Sequence, residues 1–292
     1  MPKRVDKGQK RDIIFLNTIY EEIRRTMIAN YHTHTFRCGH ASMEDEREYV
    51  EAAIRAGFCE LGFADHCPMP LPIDADPADC ARFMGIRMKM DETEDYVSKL
   101  LALREEYKND IKIHVGFEVE YIPEVFETLL GFISQFPTDY IILGQHFNSI
   151  TADKLVYFGA ETRSKTVLKN YADMVCEAIG TGKFTYVAHP DLCNFHGALE
   201  VYEREMVRII ETAKEHGVPL EVNLLGLNSM RHYPNNVFWS LASDIGCDVV
   251  LGSDAHESEG MLPERALYHA QKLIQNNKGL RLLDKVELKP IK

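Results

Sequence analysis

His32 and His34 flank a single residue, Thr33, so on an extended chain both imidazoles project from one face and can grip one metal ion. A histidine pair of this kind also occurs on surfaces and in cores, but the rest of the chain repeats the theme. Seven short apolar runs, 28–34, 59–66, 111–118, 140–146, 185–191, 218–223 and 248–256, each end in a side chain able to bind a metal or polarise a substrate. Locally they read NYHTHT, GFADH, GFEVE, LGQHF, VAHPD, LEVN and LGSDAH. Asp65, His66, Glu118, His146, His189, Asp254 and His256 thus fall at corresponding run ends, and His40 follows the first run on a loop. Seven of the twelve histidines occupy such positions; His114, His196, His216, His232 and His269 do not, and are assigned structural or surface roles. The pattern describes one site assembled from many strand ends.

Runs rich in Val, Ile, Leu and aromatics are consistent with buried parallel strands, although periodicity alone does not separate them from buried helix. The intervals decide. Stretches 43–57, 91–107, 201–217 and 235–246 carry apolar residues at helical spacing with charged outer faces. Strand and helix in repeated alternation predict an α/β fold of parallel strands with right-handed crossovers, closed or nearly closed into a barrel. Such a barrel works at the carboxyl ends of its strands. An open doubly wound sheet would instead show a glycine-rich phosphate loop at a switch point, which this chain lacks.

The 292 residues contain no linker or low-complexity tract, so the expected organisation is an N-terminal extension, 1–27, and one barrel domain, 28–292. The extension carries the basic cluster Lys3, Arg4, Lys7, Lys10 and Arg11 and an amphipathic stretch at 13–25, read as a solvated tail and a capping helix. It lacks the apolar core of a signal peptide, and no run is long enough to span a bilayer. Seven cysteines, odd in number and without a CxxC pair, predict reduced thiols and a cytoplasmic location. Cys38 and Cys67 stand beside candidate ligands, but hard phosphate chemistry is better served by nitrogen and oxygen donors. A net charge of −12 argues against nucleic-acid binding. A small anionic substrate remains compatible where metal ions reverse the local sign.

The HxH pair, the Cys38-Gly39-His40-Ala41 segment, GFADH, GFEVEY, GQHF, AHPD and GSDAH together resemble the polymerase and histidinol phosphatase (PHP) family, in its histidinol-phosphatase branch, from about residue 28 to 259. The resemblance implies a distorted (β/α)7 barrel holding three divalent transition-metal ions (zinc, iron or manganese). His32, His34, Glu118 and Asp254 would hold the first ion. Glu118 would bridge to a second, completed by His146 and His189, and His40, His66 and His256 would hold a third. A carboxylate has two oxygens, so Glu118 is suited to joining neighbouring cations. Three divalent ions with two ligand carboxylates leave a local charge of roughly +4, a phosphate pocket in an acidic protein.

The implied activity is hydrolysis of L-histidinol phosphate, a small phosphorylated substrate, to histidinol and phosphate in histidine biosynthesis. Asp65 is the candidate for proton transfer or, equally, a partner that fixes an imidazole tautomer. Arg163 and Arg231 lie on loops after strand ends, where guanidinium groups could hold phosphoryl oxygens; Lys165 competes with Arg163, and Asn223 could donate from its strand end. The segment Leu224-Leu225-Gly226-Leu227-Asn228-Ser229 departs from the Asn-Thr-Ser-Gly type expected of that branch, which bears on substrate identity. Two alternatives stand beside this reading. One is a phosphoesterase of the same family acting on nucleotides or oligonucleotide ends, although no stacking platform or basic track is evident. The other is an inactive metal-binding regulatory protein, although no proposed ligand position carries a non-coordinating residue.

Overall fold

A computed structural model describes residues 27–71 and 76–291. The helix expected at 13–25 and the basic cluster before it lie outside the described residues. Four parallel strands form one sheet in chain order: β1 (Ala29–Asn30), β2 (Glu60–His66), β3 (Lys112–Val119) and β4 (Tyr140–Leu143). A second parallel sheet is ordered β5 (Leu220–Asn223), β6 (Asp248–Gly252), β7 (Arg281–Leu282). The whole is an α/β fold with a curled parallel sheet.

The run at 185–191 does not become a named strand. Val187 makes single parallel bridges to Leu143 on one side and Leu220 on the other. The ladder toward β5 runs through Val187 N to Pro219 O (3.0 Å) and Glu221 N to Val187 O (2.9 Å). Its next bond would need an N–H at position 219, and proline has none. At the other edge Thr33 bridges Ala255, with His34 N donating to Ala255 O at 2.9 Å.

The anticipated helical stretches appear as Glu46–Ala56, Thr93–Glu106, Leu199–Glu215 and Asn236–Ile245, joined by Pro123–Ile133, Lys165–Gly180 and Glu264–Asn276. Their ends are locally encoded. Asp45 and Glu48 form a capping box at the start of the first, and Asn235 accepts from Val237 N to cap the fourth. Gly57 and Gly246 stop these two helices in the left-handed conformation. Past β6 come one long helix, Glu264–Asn276, then β7 and an extended segment. Val286 and Leu288 of that segment pack on a small core inside the curl, made by Ala29, Tyr31, Ala64, Tyr140, Ile142, Tyr186, Ala188 and Val250. A much larger core fills the space between strands and helices.

Candidate metal centre

Glu118, one residue from the end of β3, sits in the middle of the imidazole cluster and is buried. In register it lies beside His66 of β2. Its Oε1 is 2.9 Å from His189 Nε2, 3.6 Å from His32 Nε2 and 3.8 Å from His146 Nε2. Its Oε2 is 3.0 Å from His66 Nδ1 and 3.6 Å from His34 Nε2. Asp254 Oδ1 adds contacts of 3.0 Å to His34 Nε2 and 3.4 Å to His32 Nε2. At the rim, His40 Nε2 and His256 Nε2 are 3.1 Å apart. The Glu118 carboxylate occupies space over the neighbouring strand end that only glycine leaves open: a Cβ on Gly144 would stand 1.9 Å from its Oε1. His189 (φ 30) and Asp254 (φ 51) take left-handed backbone conformations uncommon for residues with a Cβ, as strain at functional positions often shows.

Behind the cluster, each of five imidazoles has its Nδ1 against an acceptor. His32 faces Glu221 Oε1 at 2.8 Å, His34 faces Asp65 Oδ1 at 3.4 Å, and His146 faces Glu120 Oε1 at 3.2 Å. His40 and His256 use backbone carbonyls, those of Cys38 (3.0 Å) and Asp254 (2.9 Å). An acceptor at Nδ1 holds the proton there and turns the Nε2 lone pair inward, the tautomer a metal ligand requires. Lone pairs then meet lone pairs: His32 and His34 Nε2 are 3.1 Å apart, like those of His40 and His256. Two facing lone pairs repel unless a cation or a proton lies with them. Glu118 Oε2 is also a buried oxygen with no hydrogen-bond partner. The donor set therefore fits divalent cations held by nitrogen and oxygen.

Electrostatics agrees. Burial disfavours charge on His32, yet Glu221, Asp254 and Glu118 push its pKa up to about 10. Burial and the nearby His34 push His256 down to about 3. Burial alone would raise Glu118 and Asp254, but the surrounding imidazoles, His66 foremost for Glu118 and His32 for Asp254, hold both well below the usual carboxylate range. In a chain without metal, protons must do what cations would do.

Ligand atoms converge within 4.8 Å in several sets: His32, His34 and Asp254; His32, Glu118 and His189; His34, His66 and Glu118; His40, His66 and His256. His34, Cys38 and His256 form a further set containing a thiol. His146 stands slightly apart, reaching the cluster through Glu118.

The cluster opens into a cavity of about 480 Å³, whose walls beyond the cluster include Arg82, Phe147, Tyr157, Leu225, Arg231 and Tyr233. Of the remaining sequence candidates, Arg231 lines this cavity, whereas Arg163 is exposed and is not among its lining residues. Asp65 is buried behind His34, its oxygens accepting from His66 N (2.8 Å) and Thr35 N (3.2 Å). Asn223 is buried too; its amide donates to Glu221 Oε2 (2.9 Å) and Asp254 Oδ2 (3.1 Å), and its carbonyl oxygen caps the turn at Gly226 N.

Sequence reasoning passed over Glu221, Glu120, Arg82, Tyr157 and Tyr233. Strand alternation carried a signal for two of them. Glu221 shares a face with Asn223, and Glu120 lies two residues beyond Glu118, so each belongs on the same side as a residue already singled out. Glu120 also accepts from the backbone N–H groups of His146 (3.0 Å) and Phe147 (2.9 Å) and lies 3.4 Å from buried Arg87. Nothing local marks Arg82, Tyr157 or Tyr233; Arg82 reaches the cavity from the short helix Ala81–Met84, and the two tyrosines reach it from loops.

A curled parallel sheet with an imidazole and carboxylate cluster at its carboxyl end defines a parallel α/β protein built to hold metal ions. The chain belongs to the PHP domain family, whose sequence profile matches residues 30–224. It is 28% identical over 237 residues to a protein of Deinococcus radiodurans named "Probable histidinol-phosphatase", covering 80% of this chain and 87% of that one. It is 26% identical to the histidinol-phosphatase of Bacillus subtilis, covering 78% of this chain and 92% of that protein. Among solved structures it superimposes on histidinol phosphate phosphatase from Lactococcus lactis, crystallised with zinc, L-histidinol and phosphate. That match has a TM-score of 0.67 and 18% identity and covers 89% of this chain and 98% of the other, a likeness of fold.

Proposed function

We propose that this protein is a metal-dependent phosphomonoesterase that hydrolyses L-histidinol phosphate to L-histidinol and inorganic phosphate. One observation carries the reading: inward-facing imidazole lone pairs and the unpartnered Glu118 Oε2 converge at the floor of a cavity with arginine in its wall. The curated relatives named as histidinol-phosphatases supply the substrate. We assign His32, His34, Glu118 and Asp254 to one ion, Glu118, His146 and His189 to a second, and His40, His66 and His256 to a third. Zinc, iron or manganese suits this donor set. We also read the architecture as a distorted (β/α)7 barrel made of β1–β6 and a degenerate strand at 185–188, with β7 outside the seven; the bridges at Val187 and Thr33 support this. Seven cysteines, odd in number and without a CxxC pair, support a cytoplasmic site of action.

Bound divalent ions would polarise the phosphoryl oxygens and activate water for in-line attack on phosphorus. The chain's own groups do the rest. Glu221, Asp65 and Glu120 fix the tautomers of His32, His34 and His146, so that the ligands are set before substrate arrives. Asn223 holds Asp254 and Glu221 in place through one amide. Arg231 supplies a fixed positive charge in the wall for the phosphate dianion. Phe147, Leu225 and the tyrosines surround the organic part and limit water.

Steady-state kinetics on metal-loaded protein test this. Histidinol phosphate should be hydrolysed with a higher kcat/KM than nucleoside monophosphates or oligonucleotide ends. A preference for nucleotides would move the function to another phosphoester and leave the metal site intact. Inactivity toward every phosphomonoester, with metals bound, would indicate a regulatory protein.

A further inference from the structure

Tyr233 is not part of the metal cluster, yet three neighbours fix its position. Its ring lies against Gly226, where a Cβ would come within 2.6 Å of the ring edge, and its centroid is 5.8 Å from that of His189. Its hydroxyl oxygen accepts a hydrogen bond from Arg231 Nη1 at 2.6 Å. Gly226 belongs to the Leu224–Asn228 helical turn, the segment whose sequence departs from the expected branch pattern. That departure has a structural use: Leu225 faces the cavity and Gly226 leaves the slot for the ring.

A guanidinium has donors only, so the Tyr233 oxygen is the acceptor in its contact with Arg231. The phenolic hydrogen must then point elsewhere. Among the described residues no acceptor takes it, although Tyr233 is buried and lines the cavity. A hydroxyl hydrogen free to turn into the cavity is available to an acceptor on a bound ligand.

We propose that Tyr233 is a further catalytic residue whose hydroxyl, held by Arg231, donates a hydrogen bond to the alcohol oxygen that leaves phosphorus. The inference rests on the phosphomonoesterase reading above. In-line displacement puts the attacking and leaving oxygens on opposite sides of phosphorus. With the attacking water and the phosphoryl oxygens at the cluster, the leaving oxygen points toward the walls formed by Tyr233, Arg231 and Leu225. As the P–O bond breaks, its electron pair stays on the alcohol oxygen. Water supplies the hydroxyl to phosphorus and its other proton to the alcohol, so the products are the free alcohol and phosphate. Tyr233 stabilises the charge that develops on the departing oxygen, and Arg231 strengthens the phenol as a donor.

The test uses Tyr233→Phe, which keeps the ring in its slot and removes the hydroxyl, in metal-loaded enzyme. Two esters are compared: histidinol phosphate, with an alkoxide leaving group, and p-nitrophenyl phosphate, whose leaving group is stable as an anion. The kcat for histidinol phosphate should fall about 100-fold, the loss typical of one such donor, and that for p-nitrophenyl phosphate less than about threefold. Metal content and inhibition by inorganic phosphate should match wild type, because the hydroxyl serves the alcohol oxygen. Equal losses on both esters, no loss on the alkyl ester, or weakened phosphate inhibition would overturn the assignment. Wild-type enzyme inactive on both esters would instead overturn the phosphatase reading, and this inference with it.

Discussion

Replacing Gly144 with alanine tests whether Glu118 is the keystone of the site. The added Cβ would lie 1.9 Å from Glu118 Oε1, 2.4 Å from its Cδ and 2.5 Å from its Cγ. To reach even 3.0 Å, a distance real Cβ atoms essentially never undercut, Oε1 must retreat by about 1.1 Å. The neighbours leave no room for that movement, since the same carboxylate touches His189 at 2.9 Å and His66 at 3.0 Å. A displacement of about 1 Å costs on the order of 100-fold in rate when reacting groups depend on alignment, and overpacking of this kind destabilises by roughly 1–3 kcal/mol. Gly144→Ala should therefore lose at least about 100-fold in kcat/KM toward histidinol phosphate, bind fewer ions by elemental analysis, and melt at a lower temperature. Gly131→Ala is the control. That residue lies within the helix Pro123–Ile133 and its Cβ would meet nothing within 4 Å, so alanine there should be neutral or stabilise by up to about 1 kcal/mol. A Gly144→Ala protein with wild-type metal content and activity would refute the central placement of Glu118.

Glu118→Gln keeps the shape but loses the charge, and elemental analysis of protein never exposed to chelator should show more than one ion missing from an expected complement of about three. Unchanged metal content would remove Glu118 from its bridging role. Loading zinc into metal-free protein should release protons: His32, pushed up to about 10, carries one near neutral pH, and apparent affinity should rise with pH toward that value in buffered calorimetry. The raised pKa also means that the metal-free chain gains stability from His32 below its unfolded value of about 6.5 and loses it as pH climbs through about 10, so its melting temperature should fall over that window while the loaded protein shows no such decline. Arg231→Ala should lower kcat/KM for histidinol phosphate at least about tenfold, equivalent to roughly 1.4 kcal/mol, whereas Arg163→Ala, outside the cavity wall, should stay within about twofold; the reverse order would place the phosphate on the other loop.

The proposed metal ligands were legible because most of them stand at a strand end or a few residues past one. A run of Val, Ile and Leu closing on His, Asp or Glu states both the element and the direction of its working end, as in GFEVE and LGSDAH. Helix limits were legible for a similar reason, through local signals such as the Asp45 capping box and the glycines at 57 and 246. What sequence could not decide is what depends on two distant segments meeting. That 185–188 pairs on both sides only through single bridges depends on Pro219 of its neighbour, and that Val286 and Leu288 pack on Ala29, Tyr31 and Ala188 depends on how the sheet curls. Glu221 behind His32 and Glu120 behind His146 were invisible as partners, because a carboxylate's role is set by which imidazole it faces. Tertiary structure alone set Gly144 against Glu118, brought Arg82 to the cavity, and seated Tyr233 over Gly226 with its hydroxyl against Arg231. Residue type fixes what a side chain can do; only the packing of loops against strand ends fixes what stands within hydrogen-bonding reach of it.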